Sequence, residues 1–175
     1  MDCPNCKNQI LEPVALEQGL VAAGCQNCLG ALLPLMNYRY WVDHSHTLAP
    51  LENELVIESG GAKICPKCNK LMSKYLLGAD SQNRIDLCVH CDEVWLDAGE
   101  WVLIKKMNLQ DVLPKVFTDA WQRNIRHQRQ VQKINQHYIQ LLGQHDFDKM
   151  EDFKAWLDSH EHAAEIKHYV TAKFD

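Results

Sequence analysis

No stretch of this 175-residue sequence is apolar for anything near the roughly 18 residues that a membrane-crossing helix needs. The opening residues, MDCPNCKNQI, lack the basic start and apolar run of a secretory leader, so the expected setting is the cytoplasm. No glycine-rich phosphate loop is present: GAKICPKC sets a lysine after a glycine without the rest of that pattern. No nucleophile, base and acid stand in an order that argues for covalent catalysis, so an enzyme is not expected. Positive charge is scarce as well. The chain holds 18 Lys and Arg against 23 Asp and Glu, a net −5, and such a field repels nucleic acid at long range. Hydrophobic residues at 46% and charged residues at 23% fit an ordinary globular chain of one domain, or two or three small ones.

Cysteine is abundant. The eight are Cys3, Cys6, Cys25, Cys28, Cys65, Cys68, Cys88 and Cys91, and all fall into four C-x-x-C pairs with none left over. Disulfides suit a secreted chain, and a redox dithiol suits one pair opening a helix within a βαβ unit; neither context is present. The pairs instead form a repeat. Unit one reads CPNC, 18 residues, CQNC, and unit two reads CPKC, 19 residues, CVHC. This spacing is that of a four-thiolate zinc site. One C-x-x-C turn supplies two thiolates, whose charge is partly offset by the loop's backbone N–H groups, and a returning hairpin supplies the other two. Two Zn2+ ions are therefore expected on the eight cysteines. Eight thiolates and two dications would take the net charge from −5 to −9. A closed site has no open coordination position, which argues against chemistry at the metal.

The residues between the pairs support hairpins. PVAL and LVAAG flank Glu17-Gln18-Gly19, and SKYLL and RIDL flank GADSQN. Gly30 and Asn69 stand where a knuckle needs a left-handed residue. Val94-Trp95-Leu96 fits a third strand. Asp97 with Glu100 makes a D-x-x-E capping box for a helix over AGEWVLIKKM, with Lys105 and Lys106 near its C-terminal end. Trp95 and Trp101 are expected to pin that helix to the ribbon.

The stretch from Cys65 to Trp101, CPKC followed by IDLCVHCDEVWLDAGEW, resembles the TFIIB-type zinc-ribbon, or transcription-factor zinc-finger, family of bacterial proteins. The residues that carry the resemblance are Cys65, Cys68, Cys88, Cys91, Trp95, Leu96, Asp97, Gly99 and Glu100. It covers about a fifth of the chain, and residues 3–34 look like a degenerate second copy without the tryptophan-aspartate tail. Family members often carry Gly after the final cysteine pair; Asp92-Glu93 stands there instead, making that knuckle acidic. The resemblance implies zinc binding, and implies transcription only by the family's name, because zinc ribbons often serve as protein-docking modules.

In PLMNYRYWVDHSHTL, Tyr38, Tyr40 and Trp41 cluster around Arg39. Such a group can stack bases or pack one ribbon on the other, the reading preferred here. His44 and His46 are weak evidence for a further metal. ESGGAK, within residues 49–63, reads as a hinge. Beyond Asn108, residues 119–145 read as one long helix opened by an Asp119/Gln122 box, with Trp121, Ile125, Val131, Ile134, Tyr138, Leu141 and Leu142 on a stripe. No acidic residue lies between Ala120 and His145, and Arg123, Arg126, Arg129 and Lys133 make the strongest basic patch. Residues 146–175 carry eight acidic and four basic side chains. They read as two short acidic helices, the first opened by Asp148/Glu151, able to fold back on the basic helix.

The expected fold class is thus a small metal-bound α+β protein: two tandem four-cysteine zinc ribbons and an α-helical C-terminal region. The divisions are 1–48 (ribbon one and aromatic linker), 49–108 (ribbon two and capping helix) and 109–175 (helical). The expected role is a non-enzymatic zinc-binding adaptor docking on a protein complex. The alternative is a nucleic-acid or transcription-machinery binder using Arg123, Arg126, Arg129 and Lys133, with Tyr38, Arg39, Tyr40 and Trp41. No membrane partner is expected, and the long helix suits pairing with a copy of itself.

Overall fold

A computed structural model describes residues 1–44, 48–50, 56 and 60–173. It forms two compact units, Met1–His127 and Gln128–Asp175. The first is a small α+β unit. Each cysteine repeat folds as a three-stranded meander. In the first repeat, β1 (Glu12–Glu17), β2 (Leu20–Gly24) and β3 (Ala31–Pro34) run in order. Gly19, at φ +81°, supplies the left-handed residue of the tight β1–β2 turn. In the second, β4 (Ser73–Leu76) and β5 (Arg84–Cys88) form a hairpin, and β6 (Glu93–Leu96) closes the meander. Helix α1 (Leu35–Asp43) follows β3 directly, and α2 (Glu100–Lys106) follows β6 after a short turn. The linker segment is therefore a helix that takes the same place in repeat one as α2 takes in repeat two.

The two meanders join edge to edge. β3 pairs with β6, giving one antiparallel six-stranded sheet in the order β1-β2-β3-β6-β5-β4. The register joins Ala31 to Leu96, Leu32 to Trp95, Leu33 to Val94 and Pro34 to Glu93. Cys25 and Cys88 are equivalent positions 63 residues apart, as are Cys28 and Cys91, and the same offset carries Leu32 onto Trp95. The central cross-strand pair is thus its own equivalent, and the repeats meet across an approximate internal two-fold. Two meanders that each expose a central edge bury both edges at once by this pairing. Of the expected hinge ESGGAK, residues 58 and 59 lie outside the described residues.

Strand alternation sorts the side chains into two layers. Ala31, Leu33, Val94 and Leu96 face one way, into a core built with Leu20, Leu77, Ile85, Tyr38, Trp41, Trp101 and Ile104, and with Leu113 and Val116 of α3 (Leu113–Val116). Leu32 and Trp95 face the other way, among Leu11, Met72 and the cysteines of both repeats. Helices cover one face of the sheet, and the four knuckles occupy the other.

Helix α4 (Asp119–Leu142) passes from the first unit into the second. Its cap is Thr118 rather than Asp119: Trp121 donates its N–H to Thr118 Oγ1 at 3.2 Å. Gln122 does not close a capping box. Its side chain accepts from Leu76 N and donates to the carbonyls of Leu76 and Val116, fastening the helix start to the end of β4. Within the second unit, α5 (Gln144–Asp158) begins earlier than the Asp148 box predicted, and Asp148 accepts from the Gln144 amide inside the helix. α6 (Ala163–Thr171) follows the break at Ser159.

Candidate metal centres

Each knuckle is a short loop held by its own backbone. Cys3 N donates to Gln9 O, Cys25 N to Gly30 O and Cys65 N to Lys70 O, at 2.7–2.8 Å. The chain then reverses through left-handed residues. Leu29, Asn69 and Asp92, each directly after the second cysteine of its pair, have φ of 58°, 60° and 57°, and Asn8 has 70°. Asn69 meets the sequence expectation. At the second knuckle the left-handed residue is Leu29, not Gly30. Gly30 is required for another reason: a Cβ there would lie 2.4 Å from Trp95 Cζ2.

Hairpin return brings the pairs together. The sulfurs of Cys3, Cys6, Cys25 and Cys28 all lie within 4.8 Å of one another, as do those of Cys65, Cys68, Cys88 and Cys91. The first cysteine of every pair is buried and the second is partly exposed. No sulfur is bridged: Cys3 to Cys28 is 3.6 Å and Cys68 to Cys88 is 3.5 Å, against about 2.05 Å in a disulfide. Four thiolates about 2.3 Å from one tetrahedral ion would stand about 3.8 Å apart, so both tetrads have the right size for a single ion. Polar hydrogens face the sulfurs. Cys6 N–H donates to Cys3 Sγ at 3.4 Å, and the side-chain amides of Asn27 and Asn5 reach Cys6 Sγ and Cys28 Sγ at 3.2 and 3.9 Å.

The protons are unevenly held. Burial acts to raise the Cys25 thiol, but the N–H groups of Cys28 and Asn27 outweigh it and bring it down to about 7. The Lys70 N–H, against desolvation, lowers Cys68 to about 7. Burial pushes Cys28 up to about 12, and hydrogen bonding to Cys68 pushes Cys91 up to about 12. Within each tetrad one sulfur ionises readily and another resists. A dication among the four removes that conflict and releases protons. These donors, distances and charges fit a metal ion in each tetrad.

No family model, curated protein or solved structure matches the chain. The reading of the site therefore stands on its geometry.

The other candidate residues are dispersed. Tyr38 and Trp41 are in the core, 1% and 3% exposed. Tyr38 Oη donates to Gln110 O at 2.9 Å and accepts from Leu113 N, and Trp41 Nε1 donates to Gln18 O. Neither ring is available for stacking on a base. Arg39 pairs with Asp92 at 2.5 Å, tying α1 to the acidic knuckle. Tyr40 is exposed, its ring 4.1 Å from that of His44; His46 lies outside the described residues. On α4, Arg123 and Arg126 are exposed in the first unit; in the second, Lys133 is exposed and Arg129 half-buried. Among the described residues no acidic side chain of α5 or α6 pairs with Lys133. The acidic side chains instead face Lys149 (Asp146), Lys154 (Glu151), His162 (Glu161) and Lys167 (Asp158).

The largest feature missed by sequence reasoning is a buried charged network beside the tetrads. Asp97 is 4% exposed. Its Oδ1 accepts from Asn5 Nδ2 at 2.9 Å and from Trp95 Nε1 at 2.8 Å, and its Oδ2 accepts from Lys63 Nζ at 3.1 Å. Lys63, also buried, stands 3.4 Å from Asp86, which takes a second lysine, Lys74, at 3.1 Å. Burial raises the Asp86 carboxyl despite both cations. Glu100 completes half of the expected capping box, accepting the Asp97 N–H at 2.7 Å. Gly99, left-handed at φ 76°, is the actual N-cap. A second buried pair, Glu17 with Lys105 at 2.6 Å, also receives Trp101 Nε1, so Lys105 serves an ion pair rather than the helix dipole. The only available signal was charge at strand-periodic core positions, which reads equally well as a solvated face.

Proposed function

We propose that this chain is a zinc-stabilised, non-enzymatic adaptor of the TFIIB-type zinc-ribbon kind, with two ribbons fused edge to edge and a helical arm that docks on a protein. The residues named above for that resemblance support it: Asp97, Gly99 and Glu100 build the turn that joins β6 to α2. Both tetrads spend all four sulfurs on one ion each, which leaves no ligand position for a substrate.

A single observation carries the docking reading. In the second unit, Val131, Ile134, Tyr138 and Leu141 follow the 3-4-3 spacing of one helix face, with Leu142 beside them, and are 40%, 46%, 40%, 67% and 42% exposed. The half-buried Asn135 and Ile139 border the stripe on its Leu142 side. Gln130 and Asn135, which carry no charge, flank the stripe. This suits an apolar, uncharged helix face on a partner protein better than a phosphate backbone.

The nucleic-acid alternative rests on Arg129 and Lys133, one turn apart on α4, and on Arg123 and Arg126. Affinity purification of the full chain, with and without nuclease, separates the two. The adaptor reading expects a protein retained after nuclease, lost with Ile134→Glu and Leu141→Glu, and kept with Arg129→Glu and Lys133→Glu. The reverse pattern, together with binding that falls steeply with salt, would replace it by the alternative. A stripe whose substitution changes only the chain's own sedimentation would mean a second copy is the partner.

A further inference from the structure

The two tetrads are not independent in this fold. They share one apolar layer, in which Trp95 and Leu32, at the internal two-fold, lie among Cys3, Cys25, Cys65 and Cys88. They also share one carboxylate. Asn5 lies inside the first knuckle, between Cys3 and Cys6, and its amide reaches both Cys28 Sγ and Asp97 Oδ1. Lys63, on the other oxygen of Asp97, stands two residues before Cys65, and its carbonyl accepts Met72 N–H at 2.9 Å, closing the base of the Cys65–Cys68 loop. Trp95, fixed by the same carboxylate, sits over Gly30 at the second knuckle. Asp97 thus touches the support of both tetrads while ligating in neither.

From this juxtaposition we infer that the two zinc ions load with positive cooperativity, and that Asp97 is the positioning residue through which one site readies the other. The inference rests on the zinc reading above. Metal binding at a cysteine tetrad orders the loops that carry it. Filling tetrad one fixes Asn5, and Asn5 with Trp95 fixes the Asp97 carboxylate. The carboxylate then holds Lys63 and the base of the Cys65 loop in the binding conformation. The second ion meets an ordered site, and linkage makes the effect equal in the other direction. The internal two-fold makes the device economical, since one central strand pair serves both loops.

Native mass spectrometry of the full chain at one Zn2+ per molecule reads the coupling directly. Independent equal sites leave about half the molecules singly loaded; tenfold coupling, within the usual range, cuts that to about a quarter. Wild-type protein is expected below half. In Cys3→Ser/Cys6→Ser, the intact second tetrad is expected to bind Zn2+ at least about tenfold more weakly, although none of its own ligands has changed. Asp97→Asn, or the milder Asn5→Ala should that variant not fold, is expected to return the singly loaded fraction to half or more while excess Zn2+ still fills both sites. An unchanged second-site affinity in the double serine variant, or a wild-type singly loaded fraction at or above half, overturns the coupling. Wild-type protein that holds fewer than two ions in excess Zn2+ overturns the metal reading itself.

Discussion

Glu100 and Gly30 show how much individual positions in this fold depend on what surrounds them. The Glu100 side chain is 1% exposed. Burial, opposed by the Asp97 N–H it accepts and reinforced by the Asp97 charge, pushes its carboxyl from 4.5 up to about 8. Folding therefore favours the protonated acid. That contribution is complete below about pH 4.5 and is lost as pH rises through about 8. Glu100→Gln keeps the acceptor for Asp97 N–H and cannot ionise. Its stability relative to wild type is expected to improve by roughly 2 kcal/mol between pH 6 and pH 9. Denaturant titrations of both proteins in excess zinc check this, since effects on the cysteines cancel in the difference; a pH-independent gap would contradict it. At Gly30 the added methyl of an alanine would collide with Trp95, an overpacking that costs about 1–3 kcal/mol. Gly60→Ala, with nothing within 4 Å of its Cβ, is expected to melt like wild type. The eight cysteines were legible at this scale because thiolate spacing is a strong chemical signal. Asp97 and Asp86 were not. A carboxylate in a capping box or on a strand looks the same in sequence whether it faces water or a buried lysine.

The elements follow their local signals closely where those signals are turns and caps. The β1–β2 hairpin closes at Gly19, and β4 and β5 flank the GADSQN stretch as their patterns predict. What local patterns do not carry is partnership. Nothing in ALLP or EVWL states that the two strands pair with each other, because alternation reports which face is buried and not which edge is joined. Helix α1 was hidden for a related reason. Its residues Leu35, Tyr38 and Trp41 have helical spacing but are aromatic-rich and follow proline, which reads as linker. The start of α4 depends on Thr118, and Thr118→Ala is expected to cost about 1 kcal/mol through loss of the cap to Trp121 N. A thermal melt reading the same midpoint as wild type would show that Gln122 alone fastens the helix start. The apolar pattern on α4 also divides by unit. Trp121 packs against the first unit's core and Ile125 is buried, while Val131, Ile134, Tyr138, Leu141 and Leu142 remain exposed in the second.

At the level of the whole molecule, the duplication explains the architecture of the first unit. A lone ribbon of this size has too little core to fold without its ion. Pairing two through β3 and β6 creates a sheet large enough to carry helices on one face and both cysteine tetrads on the other. A chelator should therefore act on the entire sheet: removal of metal is expected to abolish near-ultraviolet signals from buried Trp95, Trp101 and Trp41 together. Loss of the Trp95 signal alone would mean that the helical face folds without the ions. Among the described residues no helix is long and apolar enough to cross a membrane. The central claim is that eight cysteines form two closed four-sulfur sites, each holding one ion. X-ray absorption at the zinc edge on protein of measured metal content tests it most directly. The account predicts two ions per chain, each with four sulfur neighbours at about 2.3 Å. Fewer than two ions, or a shell containing oxygen or nitrogen in place of sulfur, would contradict it.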